Sequence, residues 1–207
     1  GELSVNLLTG ASVASEAESL LAEVDGVALR MPYQSEPTAR GKINDGRMDY
    51  VDIHLSHVAQ QVWEGNYGKV DVAVVEVAAI TEDGKLIPSM SVGNNKTWLE
   101  VADAVILEVN SWVPLEVEGM HDVYYGTALP PDRRPIMMTG PADRTGQPHL
   151  EVNPAKVVAV VPTNEQDSET AVTAPGANSQ AIAAHVVWFI RQEVEWGRMP
   201  ADGLLLL

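Results

Sequence analysis

Cysteine is absent from all 207 residues, which excludes a disulfide framework and thiolate chemistry. Basic residues are scarce: 13 Lys and Arg stand against 29 Asp and Glu, for a formal net charge of -16. Nucleic acid and anionic membrane surfaces call for a basic face, so neither is expected as a partner. A small anionic ligand needs only a local basic pocket and stays open. Phe occurs once against five Trp, so aliphatic side chains must do most of the packing. The apolar runs are about the length of strands, and nothing resembles a signal peptide or a membrane span. A cytoplasmic protein is therefore expected. Dinucleotide, P-loop and nucleophile-elbow motifs are missing, and there is no internal repeat.

What is present suffices for one domain with a small embellishment, since 45% of the residues are apolar. The centre of the chain is 71–110. A continuous apolar run from Val72 to Ala79 reads as a strand buried on both faces and parallel to its neighbours. Asp83-Gly84 suits a type I′ turn, making Ile80 to Pro88 a small hairpin. The polar loop Ser89 to Asn95 follows, with Asn94 or Asn95 as cap of a helix from Lys96. A second apolar run, Ala104 to Val109, closes a βαβ-type unit. Such units take ligands at the carboxyl ends of their strands.

Around this centre, strands are expected at Leu3 to Leu8, Val27 to Arg30 and Val157 to Val161, the last also buried. Helices are expected at Glu16 to Val24 with Ser15 as cap, from about Leu55 to Gly65 with Asp52 as cap, and at Ser179 to Trp196. The last carries Ile182, Val186, Phe189, Ile190 and Val194 on one stripe. Residues 124–154 are rich in Pro and Gly and read as loop, with an extended piece at Ile136 to Met138. Loops of that length are usually functional or part of an interface. Strands alternating with helices give an α/β fold with a mainly parallel sheet flanked by helices.

Four features invite a functional reading. Arg30, Arg40, Lys42 and Arg47 form the densest basic cluster; it reads as a solvated helical face, against the alternative of an anion or subunit contact. His54 and His57 are spaced to share a helical face, but no further ligands complete a metal site, so none is expected. Glu76, inside an apolar run, reads as a hydrogen-bonded structural acid rather than a pocket acid. The loop before Lys96 is either an anion-binding turn or merely a turn. The four closing leucines read as the start of a strand in a longer polypeptide.

Particular stretches add more. LLTGAS (7–12), RMPY (30–33), DIHLSHVAQQV (52–62), EGNYGKVDVAVVEV (64–77), AITEDGKLIPSMSVGNN (79–95), VILEVNSW (105–112), VEGMHD (117–122), KVVAVVPTN (156–164) and EVEWGRMP (193–200) resemble the acetyl-CoA hydrolase/transferase family, in particular its succinyl-CoA:acetate CoA-transferases. The resemblance implies a CoA-transferase (NagB/RpiA-like) fold, with residues 1–207 forming part of the N-terminal domain. An upstream Gly-rich segment and the C-terminal half are implied to lie elsewhere. The family's chemistry moves CoA between an acyl-CoA and a small carboxylate such as acetate or succinate, through a glutamyl-CoA intermediate. Its glutamate belongs to the C-terminal half, so no catalytic residue is carried over and this chain alone is predicted to be inactive. The resemblance implies coenzyme A as a substrate, no metal, and a homo-oligomer that includes the C-terminal half. Ser12, Gly93 and Asn94 are the expected substrate-binding residues; each also fits simple loop geometry. The loop after Thr163-Asn164 is often basic in the family but reads Glu165-Gln166-Asp167-Ser168-Glu169 here, which argues against an arginine contact from it. The alternatives are an acyl-CoA hydrolase (a thioesterase), or a non-catalytic domain binding a ligand or partner through residues 115–154.

Overall fold

The computed structural model describes residues 4–10, 16–167 and 173–203. The chain divides into two compact units, 1–168 and 169–207. The first unit is an α/β structure with mainly parallel strands. It begins with β1 (Val5–Leu8), α1 (Glu16–Glu23), β2 (Val27–Met31), α2 (Pro37–Asn44) and β3 (Asp49–Tyr50). These strands form a parallel sheet in the order β1-β2-β3. Next come α3 (Leu55–Trp63), β4 (Val72–Ile80), β5 (Leu86–Pro88), α4 (Asn95–Val101), β6 (Ala104–Asn110) and β7 (Val157–Thr163). The second sheet runs β5-β4-β6-β7, with only the β4–β5 pair antiparallel.

The central unit and β7 form as the sequence predicts, with three differences. First, only one face of β4 is buried along its whole length; on the other, Val72 and Val74 are exposed and burial begins only at Ala78, which packs with Ile87, Val113 and Val117. Ala73, Val75 and Val77 pack with Val58 and Val62 of α3 and Trp98 and Leu99 of α4, while Val74 is 64% exposed. Second, β7 is an outer strand with Val158 65% exposed, not a buried one. The reason is shared: these strands are largely apolar on both faces, but α3 and α4 cover only one. Third, the hairpin turn is not type I′, which needs a positive φ at its first central residue. Only Gly84 has one (φ 80°); its N–H donates to the Thr81 carbonyl at 2.9 Å, and Thr81 N–H donates to Lys85 at 2.9 Å. A glycine in the left-handed region after an ordinary turn lets the hairpin close with one extra residue.

The basic cluster is not a solvated face. Arg30 is 1% exposed, and its Nε donates to Glu18 Oε1 at 2.7 Å; Nη2 lies 2.7 Å from the same oxygen but makes no well-directed hydrogen bond. Lys42 is buried too, with Nζ on the Ala22 carbonyl and 2.5 Å from Asp25 Oδ1. The pairing with Lys42 holds the Asp25 carboxyl below its ordinary range. Arg40 and Arg47 do face outward. Two of the four cations thus tie α1, β2 and α2 together. The N-cap of α2 is Glu36, whose Oε2 accepts from Ala39 N–H at 2.7 Å ahead of Pro37.

The expected cap of α3, Asp52, is replaced by His54, which makes no side-chain capping bond. The His54 and His57 rings meet edge to face at 5.7 Å. Residues 136–138 form no strand, and their side chains are exposed. The second unit carries α5 (Ala177–Glu195), ended by Gly197 at φ 68°. Within it the apolar stripe is not covered: Ile182, Val186 and Phe189 are exposed. No helix among the described residues is long and apolar enough to cross a membrane.

Candidate functional site

The parallel register of β4, β6 and β7 brings their carboxyl ends level: Val77 pairs with Val109, and Asn110 with Thr163. This is the edge where open α/β sheets bind ligands. Asn110 sits at its centre, 2% exposed. Its Nδ2 donates to Glu76 Oε1 and to the Glu165 carbonyl, both at 2.7 Å. Its Oδ1 accepts from the N–H groups of Trp112 and Glu165, each at 3.1 Å. One amide therefore binds β4 to the turn after β6 and the loop after β7. Beside it, Thr163 Oγ1 donates to Glu108 Oε1 at 2.9 Å. Glu76 is the hydrogen-bonded acid that its place in an apolar run suggests.

β5 returns to the level of Val77, and from there residues 89–94 lead into α4. Gly93 is exposed with φ 48°, and a Cβ there would meet no atom within 4 Å. Its demand for glycine is therefore one of backbone conformation, not of space. Asn94 stands at the helix N-cap, where its carbonyl accepts from Trp98 N–H at 3.1 Å. Its side chain makes no capping bond, so the amide is not consumed by the helix. Ser12, like the Ser15 cap, lies outside the described residues.

Two of the motif blocks meet here. His121 Nε2 lies 2.7 Å from the Ser89 carbonyl, fastening VEGMHD to SMSVGNN. Asp122 beside it accepts from Thr145 N–H at 2.9 Å and Gly146 N–H at 2.7 Å. Those N–H groups hold the Asp122 carboxyl below the ordinary aspartate range. Arg144 donates to the His121 carbonyl at 3.0 Å and to the Gly119 carbonyl. The segments 119–122 and 144–147 are thereby pinned together, closed by reciprocal Val123–Gln147 backbone bonds at 2.8 and 3.0 Å.

A buried cation of this region is Lys96, in the first turn of α4. Its Nζ lies 5.2 Å from the ring centres of both Trp63 and Tyr125 and 2.6 Å from Glu100. Burial raises the Tyr125 phenol above its ordinary pKa, and its oxygen accepts from Glu151 N–H at 2.8 Å. Lys96 thus braces α4 against α3 and the long loop. Sequence reading passed over Lys96 and Asn110. Nothing local distinguishes Lys96, whose aromatic partners come from distant segments. For Asn110 there was one signal, a polar residue ending an apolar strand. Among the described residues, no group of three or more His, Asp or Glu is placed to hold a metal ion.

Residues 1–162 match the family model described as the acetyl-CoA hydrolase/transferase N-terminal domain. The chain belongs to this family. The succinyl-CoA:acetate CoA-transferase of Clostridium kluyveri is 41% identical over 201 residues, which are 97% of this chain and 37% of that protein. The propanoyl-CoA:succinate CoA transferase of Escherichia coli is 39% identical, covering 98% of this chain and 41% of the relative. The acetyl-CoA hydrolase of Yarrowia lipolytica is 39% identical, over 97% of this chain and 39% of its own. This acetyl-CoA hydrolase/transferase chain therefore spans only about two fifths of the length of these relatives. The pinned loops 89–94 and 119–147 both fall within the part that the family model matches.

Proposed function

We propose that this chain is the N-terminal half of an enzyme that transfers CoA between an acyl-CoA and a small carboxylate of the acetate or succinate type. The observation that carries this reading is the family match over residues 1–162, together with relatives named for such transfers. The active centre would be completed by a C-terminal half outside residues 1–207. There a glutamate carboxylate attacks the acyl-CoA carbonyl, releasing CoA thiolate and leaving an acyl-glutamyl anhydride. The thiolate attacks the glutamyl carbonyl and expels the first carboxylate, giving a glutamyl-CoA thioester. The acceptor carboxylate attacks that thioester, forming a new mixed anhydride and freeing the thiolate. The thiolate then attacks the acceptor's carbonyl and regenerates the glutamate. The exchange is thus split into easier covalent steps.

In this reading the described half supplies one wall of the cleft. Gly93 and Asn94 stand on the loop before α4; these two, together with Ser12 of the TGAS stretch, are the residues proposed to face the substrate. The fastening of that loop by His121 favours a preformed wall. The protein is further expected to be cytoplasmic and to form a homo-oligomer.

A second reading, acyl-CoA hydrolysis, is favoured by the name of the Yarrowia relative. One assay separates the two. Succinyl-CoA is mixed with the intact protein, with and without acetate, and both thioester loss and acetyl-CoA are followed. Acetyl-CoA formation that requires acetate supports transfer; equal thioester loss without acetate supports hydrolysis; no loss in either arm overturns both. Turnover by residues 1–207 alone would place the nucleophile within this chain, against the proposal.

A further inference from the structure

One buried cation holds both stems of the segment that carries Ser12. In the sequence, Thr9 stands before Ser12 and Glu18 after it. On the first side, Thr9 N–H donates to the Met31 carbonyl at 3.0 Å, and the same carbonyl accepts from Arg30 Nη1. On the other side, Arg30 Nε donates at 2.7 Å to Oε1 of Glu18, in the first turn of α1. The guanidinium, buried near the end of β2, therefore joins the carboxyl end of β1 to the start of α1.

The next connection is tied to the same carboxylate. Gln34 Nε2 donates to Glu18 Oε1 at 2.7 Å. Gln34 Oε1 accepts from Glu36 N–H at 2.5 Å, and Glu36 caps α2. Arg30, Gln34 and Glu36 are all buried. A run of polar groups thus crosses the carboxyl edge of the first sheet, the kind of edge where open α/β sheets bind ligands.

Stability alone does not account for this run. Nη2 of Arg30 is buried without a well-directed hydrogen bond. An unpaired buried donor is unfavourable, and exchanging a buried ion pair for well-packed apolar side chains often leaves a protein as stable or more so. Packing β2 against α1 and α2 needs no charge: Ala22, Val27 and Ala39 already do so. What apolar contacts cannot do is fix direction. A planar fork with one N–H on a carbonyl and another on a carboxylate sets angle as well as distance.

We propose that Arg30 is a positioning residue for the Ser12 segment. Through the Met31 carbonyl and Glu18 it sets where the two stems stand, and hence where Ser12 meets the acyl-CoA. Arg30 acts through these partners and does not itself touch the substrate. The inference rests on the CoA-transferase reading above, in which Ser12 faces the substrate.

The test uses the intact protein and a double variant, Arg30→Met with Glu18→Gln. The pair removes both charges and keeps an acceptor for Gln34, so its urea midpoint is expected within about 10% of wild type. Its kcat for acyl-CoA turnover is expected to fall about 10- to 100-fold with KM within about threefold, because a misplacement of about 1 Å away from the chemistry costs on the order of 100-fold. Amide exchange at Leu20 and Leu21, which close the first turns of α1, is expected to quicken at least about 10-fold. Arg30→Lys keeps the charge without the fork and serves if the double variant does not fold; its kcat is also expected to fall about 10-fold. Turnover of either folded variant within about threefold of wild type overturns the proposal, since the pair would then be a brace only. Unchanged exchange at Leu20 and Leu21 overturns it as well, whatever reaction the protein catalyses. A wild-type protein that leaves acyl-CoA intact would instead overturn the CoA-transferase reading, and exchange alone would then decide whether Arg30 holds the stems.

Discussion

Asn110 Nδ2 stands 2.7 Å from Glu76 Oε1, a bond between the carboxyl ends of two parallel strands. The same nitrogen reaches the Glu165 carbonyl, and Oδ1 accepts two backbone N–H groups. All the partners are lost together if the amide is replaced. Asn110→Leu is expected to lower unfolding free energy by about 2–4 kcal/mol, because buried polar groups are left unpaired. Urea denaturation measures it; a change within about 0.5 kcal/mol, the range of ordinary surface substitutions, would contradict the clamp.

Glu76 tests the same bond from the other side. A glutamine keeps an oxygen able to accept from Asn110, so Glu76→Gln should cost under about 1 kcal/mol, the scale of one neutral hydrogen bond. Acyl-CoA turnover by the intact protein should remain within about threefold of wild type, less than 1 kcal/mol in barrier. A loss of about 100-fold in turnover with stability unchanged would reassign Glu76 to the chemistry.

The pattern of strands and helices was legible because Val72–Ile80, Ala104–Asn110 and Ala177–Glu195 have strong, unbroken periodicity or apolarity. Which faces are covered was not. Val74 and Val75 are the same residue type, yet one is exposed and one buried, and only the position of α3 and α4 decides that. β3 escaped notice because two residues carry no period. The basic cluster misled for a related reason: charge counted along the sequence does not reveal that Arg30 is buried against Glu18 of α1, and Lys42 against the Ala22 carbonyl of α1 and Asp25 in the turn after it. At the candidate site, Gly93 and Asn94 were visible as turn chemistry, whereas Lys96 is defined by Trp63 and Tyr125, distant in sequence.

Lys96 should therefore matter for stability more than its ion pair alone suggests. Glu100 is substantially exposed, so solvent screens that pair. The two rings shield the ammonium from water on both sides, where cation–π attraction is strongest. Lys96→Met is expected to cost about 1–2 kcal/mol, and Glu100→Gln under about 1 kcal/mol. Thermal or urea unfolding of both variants checks the order. A larger effect from Glu100→Gln would mean that the rings contribute little.

Asp122 gives the long loop a pH dependence of definite sign. Its carboxyl is held below the ordinary value of 3.8 by the Thr145 and Gly146 N–H groups, which bond only the charged form well. A folded pKa below the unfolded one means that stabilisation is present above the ordinary value and fades as pH falls through the folded one. The backbone N–H shifts of Thr145 and Gly146 should titrate together with a midpoint below 3.8. Asp122→Asn should abolish that titration. A midpoint at or above 3.8 would show that the carboxylate is not held.

Gly146 and Gly140 lie in the same loop but should respond oppositely to one added methyl group. At Gly146 a Cβ would overlap the Val123 carbonyl, part of the backbone whose bonds with Gln147 close the loop. At Gly140 the nearest atom is Asp143 Oδ1 at 3.7 Å, an ordinary contact with a movable side chain. Gly146→Ala is therefore expected to cost about 1–3 kcal/mol, as overpacking against fixed atoms does. Gly140→Ala should fall within about 0.5 kcal/mol of wild type. Because the fastening of His121 to Ser89 shares this loop, Gly146→Ala should also speed amide exchange at Val123 and Gln147. Equal stability of the two variants would mean that the close approach of residues 123 and 146 does not set the loop.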